Sequence, residues 1–69
     1  MYHVNLTLSG YENGKSWFDT LAVWSCKTKK EAYLQFAAVL ENKFTPSPVY
    51  GVFLSITHNG KRLAHMQVN

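Results

Sequence analysis

The sequence predicts an α+β fold of element order ββαββ: a four-stranded, mainly antiparallel sheet with one helix packed across one face. Three observations predict it. Residues 2–9 alternate apolar and polar side chains, Thr28 opens a helical pattern, and Asn13-Gly14 and Asn59-Gly60 each stand between β-like runs. Residues 1–69 are expected to form a single small α+β domain.

In the first run Tyr2, Val4, Leu6 and Leu8 fall on one face and His3, Asn5, Thr7 and Ser9 on the other, as in a strand with one wet side. Glu12-Asn13-Gly14-Lys15 supplies a hairpin turn, because Asn and Gly tolerate positive φ. The second run, Ser16 to Cys26, carries two apolar sets: Phe18, Ala22 and Trp24 on one face, Trp17, Leu21 and Val23 on the other. Periodicity leaves open which set is buried, and either choice leaves apolar side chains outside.

Thr28-Lys29-Lys30-Glu31 matches the capping box, in which the Thr hydroxyl accepts from the Glu31 N–H and the Glu31 carboxylate accepts from the Thr28 N–H. Ala32, Tyr33, Phe36, Ala37, Leu40 and Phe44 follow at three- and four-residue spacing, which predicts an apolar helix face about four turns long. Thr45-Pro46-Ser47-Pro48 stops the helix, since proline lacks the N–H and biases its predecessor towards extended backbone.

Val49 to Asn69 reads as a second hairpin. A two-residue loop would pair Ile56 with Leu63 but bring His65 and Gln67 onto the face of Leu54 and Val52. A three-residue loop with Gly60 left-handed pairs Leu54 with Ala64, Val52 with Met66 and Tyr50 with Val68. It keeps one face apolar, with Arg62 opposite Ile56, and is the register expected. Phe53, Ser55, Thr57, Leu63 and His65 then lie outside. In the grasp-like strand order 2-1-4-3, the first and last strands would be parallel neighbours at the centre. That element order is similar to the ββαββ immunoglobulin-binding domains of bacterial surface proteins, a likeness that implies no function.

Composition narrows the function classes. Of the 69 residues 46% are hydrophobic, 14% aromatic and 16% charged, which excludes a disordered tail, and no apolar run reaches the ~20 residues of a membrane helix. Scaling predicts a folded surface of about 4,400 Å², enough burial for one thin core. The N-terminus has no basic-then-apolar leader pattern and Cys26 is the lone cysteine, so a cytoplasmic, reducing location is expected.

Catalytic chemistry finds little support. Glu12, Asp19, Glu31 and Glu41 are scattered, and Cys26 and His58 come without an orienting acid. His3, His58 and His65 lack metal-ligand spacing, although His3 and His65 would be neighbours if the outer runs paired. No enzyme activity, cofactor or metal is expected.

Binding chemistry finds more. Alternating strand directions bring Lys27, Lys29, Lys30, Lys61 and Arg62 to one pole, an arrangement suited to phosphates or acidic protein. The sheet face the helix leaves open displays His3, Asn5 and Thr7, and its candidate anchors are Phe53, His65 and either Phe18 with Trp24 or Trp17 with Leu21 and Val23. The expected function is that of a small stand-alone regulator of the phage or mobile-element type. It would bind and inhibit a larger host protein or ribonucleoprotein complex. Sequence-nonspecific single-strand nucleic-acid binding is the second expectation, and a homodimer joined through open sheet faces the third; no membrane role is expected.

Overall fold

The structure, a computed structural model, describes residues 1–69. The ββαββ order is observed: β1 (Tyr2–Glu12), β2 (Lys15–Cys26), α1 (Lys29–Leu40), β3 (Tyr50–His58) and β4 (Lys61–Gln67). The strand order is β2-β1-β3-β4 with every neighbouring pair antiparallel, which replaces the grasp-like 2-1-4-3 arrangement. The burial pattern explains the change. Val52, Leu54 and Ile56 make β3 the most buried strand and suit it to the centre. β4 is short and opens with Lys61 and Arg62, charges that protect an exposed edge from pairing with other chains. β2 and β3 run the same way, α1 returns between them, and β1 fills the gap.

Both hairpins close on two residues in the left-handed region, Asn13 (φ 53°) with Gly14 (78°) and Asn59 (50°) with Gly60 (75°). Two positive φ values match the right-handed twist of the flanking strands. Each hairpin then carries one irregularity in its edge strand. In β2, Leu6 faces Ala22 while Thr7 faces Thr20, which leaves Leu21 without a partner. Cys26, Trp24 and Ala22 therefore share the side of Val4 and Leu6, whereas beyond the bulge Trp17 takes that side, opposite Gly10, and Phe18 the other, opposite Ser9. The choice between two apolar sets is resolved by dividing the strand.

In β4 the loop has two residues, not the expected three, and Leu63 is the bulge: Thr57 faces Arg62 while Ile56 faces Ala64 and Leu54 faces Met66. The facial assignment of Ala64 and His65 holds, but each pair is displaced from the expected register. Arg62 no longer opposes Ile56, and Leu63, expected outside, packs against the core.

Thr28 caps α1 in extended backbone (φ −125°, ψ 158°), and its Oγ1 accepts from the Glu31 N–H at 3.2 Å. The returning carboxylate accepts from the Lys27 N–H, not from Thr28. The helix ends at Leu40, earlier than expected, as Asn42 N–H bonds back to the Val39 carbonyl. Its buried stripe is Ala32 and Val39 with Phe36 between them; Tyr33, Ala37 and Leu40, expected inside, are exposed. Phe44 reaches the core from beyond the helix.

Val4, Leu54, Ile56 and Ala32 are fully buried, and Cys26 belongs to the same cluster. The molecule measures 40 × 26 × 15 Å and exposes 4952 Å². That is more than the ~4,400 Å² typical of this mass, as expected of a two-layer slab with one sheet face uncovered. Asn69 extends β3's pairing beyond the end of β4: its Oδ1 accepts from Val52 N–H at 2.8 Å and its Nδ2 donates to the Tyr50 carbonyl at 3.3 Å.

Candidate functional site

The open face is assembled from the odd-numbered residues of β1 and β3 together with the side chains that the two bulges send outward. Its centre is polar and internally bonded. Asn5 Nδ2 donates to Thr57 Oγ1 at 3.1 Å and to Ser55 Oγ at 3.5 Å, and Ser25 Oγ lies 3.2 Å from His3 Nδ1. Thr7 and Ser9 donate to the backbone carbonyls of Phe53 and Trp17. These short side chains keep the centre low, while the rims carry rings.

On the β2 side Phe18 is 77% exposed, with Leu21 and Val23 also exposed nearby. On the other side Phe53 and His65 lie parallel, with centroids 5.4 Å apart and an interplanar angle of 4°. Phe53 needs Gly51 beside it, because a Cβ there would come within 2.7 Å of the ring. Between the rims runs a shallow hollow of about 300 Å³ lined by Thr7, Ser9, Phe18, Phe53, Arg62 and His65. A second hollow of similar volume, bordered by Tyr11, Val49 and Tyr50, shares Ser9 and Phe53 with the first. The two hollows adjoin at these two residues.

The electrostatics are one-sided. Asp19 faces Leu8 on the helix side, Glu12 has the same register parity, and Glu31 and Glu41 belong to the helix and its cap. The open face therefore carries Arg62, His3 and His65 and no carboxylate. The five expected cations gather at the end of the sheet where β1 begins and β2 and β3 finish, with Glu31 the one carboxylate among them. That end has a net charge of +4 with histidines neutral, and the opposite end −1. The pole is broad, because β2 and β4 are opposite edges, about 14 Å apart at ~4.8 Å per strand. Lys29 Nζ stands 6.0 Å from the Tyr33 ring centroid, and three lysines flank a helix N-terminus whose dipole favours anions.

The candidate residues thus separate into groups. Phe18, Phe53, His65 and Arg62 come together on the groove. Lys27, Lys29, Lys30 and Lys61 form the adjoining pole. Trp24 leaves the open face and packs against the core, because the Leu21 bulge turns it inward. His3 and His65 are not neighbours, since β3 runs between β1 and β4. Cys26 is buried, while His58 stacks on Tyr2 at 3.9 Å and its Nδ1 lies 2.9 Å from the Met1 carbonyl oxygen. No cluster of three His, Cys, Asp or Glu side chains is placed to hold a metal, and no helix is long and apolar enough to cross a membrane.

Thr7 stands on the open face with His3 and Asn5 as expected, whereas Ser9, expected only as part of a strand's wet side, completes a hydroxyl floor beside it. The signal was present in the run of short polar residues at alternate positions of β1 and β3. Comparison with known proteins finds no matching family model, no matching curated protein and no matching solved structure.

Proposed function

We propose that this chain is a small binding and regulatory protein, without catalytic activity of its own, that acts by occupying an acidic surface of a larger macromolecular complex. The observation that carries the reading is the continuity of a carboxylate-free sheet face with a cation-rich end. Such a surface attracts acidic partners over a distance of about a Debye length, and its exposed rings provide apolar contact once they arrive. The internal bonding of the polar centre supports the same role. Side chains already held by one another lose little further freedom when a partner docks.

Charge reversal at the pole tests this. The double variant Lys29→Glu with Lys30→Glu is expected to keep its thermal melt within a few degrees, as both residues are exposed, and to lose the partner that the parent chain captures from bacterial lysate. Undiminished capture by the folded double variant refutes the role of the pole.

A further inference from the structure

We infer that the acidic component held by this face is a single strand of nucleic acid, its unpaired bases stacking on Phe18 and on the Phe53–His65 pair and its phosphates meeting Arg62 and attracted by the basic end of the sheet. This rests on the binding role proposed above and names the partner's chemistry. Four observations converge on it. The rings stand on both rims of one groove, where planar ligands find π-faces at successive positions. The groove adjoins the second hollow at Ser9 and Phe53, and Tyr11 borders that hollow with the open-face parity, so the two have the form of a track rather than a single pocket. The face bears no carboxylate to repel phosphates, and Arg62 lines the groove itself. Beyond Arg62 the same end of the sheet carries Lys61, with the helix-side parity, and Lys27, Lys29 and Lys30 at the helix start, which add long-range attraction for a polyanion rather than contacts on the groove.

The shape also selects among polyanions. No helix stands on this face to enter a duplex groove, and paired bases hide the surfaces that flat rings recognise. An acidic protein would anchor best through a side chain buried in a deep apolar pocket. Here the groove is shallow, its floor is hydroxyl-bearing, and two of its six lining residues are hydrophobic.

The test is fluorescence anisotropy of the full chain titrated against labelled single-stranded DNA and RNA of about 12 nucleotides, and against the matching duplex, at low and moderate salt. The single strands are expected to bind more tightly than the duplex and to weaken steeply with salt. Arg62→Ala should make the log–log salt slope shallower by about 0.7, the share of one phosphate contact. Phe18→Ala and His65→Ala should each weaken binding roughly 5- to 150-fold, the loss of one stacked base. Trp17 and Trp24 lie on the helix side, so their emission verifies folding of each variant independently of the ligand face. Absence of oligonucleotide binding at low salt, equal affinity for duplex, or unchanged affinity of the two ring variants each overturns the inference. If oligonucleotides fail but the parent chain still captures a protein in a Lys29- and Lys30-dependent manner, the binding role survives without nucleic acid; if capture also fails, both readings fall.

Discussion

The helix-covered face and the open face are made by the same four strands, yet they use different kinds of side chain. The covered face is aliphatic at its centre, with Val4, Leu54 and Ile56 sealed by Ala32 and Val39. The open face is polar and aromatic, with Asn5, Ser55 and Thr57 bonded together towards the start of β1 and Thr7 and Ser9 lying between Phe18 and the Phe53–His65 pair. Burial supplies the folding energy on the first; on the second, exposed rings and one arginine are kept available at little cost in stability. The comparison teaches that a 69-residue chain can separate a buried aliphatic core from an exposed, ring-bearing face by the alternation of the pleat together with one bulge in each edge strand.

Substitutions can break or sharpen that division. The largest effect is expected from Leu54→Ala, which removes a fully buried side chain from the central strand: about 2–5 kcal/mol, out of roughly 3–10 kcal/mol for a chain of this length. Urea denaturation reads it directly, and a loss below about 1 kcal/mol would mean that the covered face is not the source of stability. Gly10→Ala should cost less, about 1–3 kcal/mol, because the new Cβ would lie 2.4 Å from Trp17 Cζ2 and the indole must move. A red shift of the Trp17 emission should accompany it, and an unchanged spectrum would show that the ring does not depend on that glycine. Phe18→Ala should change stability least, by no more than about 0.5 kcal/mol, since the ring is 77% exposed. A large loss of stability there would erase the distinction between the two faces.

Much of this architecture was legible in the sequence. The alternation of β1, the Asn13-Gly14 turn and the Thr28 cap were read from local chemistry, and local chemistry determines them; the gathering of five cations at one end followed from the alternation of strand direction, and the second hairpin was placed correctly but with a loop one residue too long. Strand order was not legible, because it turns on which of two similar hairpin strands has the deeper apolar alternation, and Met66 and Val68 made β4 resemble β3. Helix rotation was missed for a related reason. Apolar residues nearly encircle α1, so spacing favoured Tyr33, Ala37 and Leu40, while packing on the sheet selected Val39. The groove was half legible. Phe53 and His65 were read as outward, but Phe18 and Trp24 were kept on one face with the choice of face left open, and Leu63 was placed outside, because a regular period of two has no room for a bulge.

That irregularity has an evolutionary meaning. Leu21 is the single unpaired residue that lets β2 contribute Trp24 to one side and Phe18 to the other. Loss of its one codon would leave an unbroken pleat with Thr20 still opposite Thr7 and Phe18 still opposite Ser9, because the pairs on either side of the bulge already alternate in step along β1. The strand can therefore gain or lose this one residue in a single in-frame event while both faces keep their side chains and the core centred on Val4, Leu54 and Ile56 stays as it is.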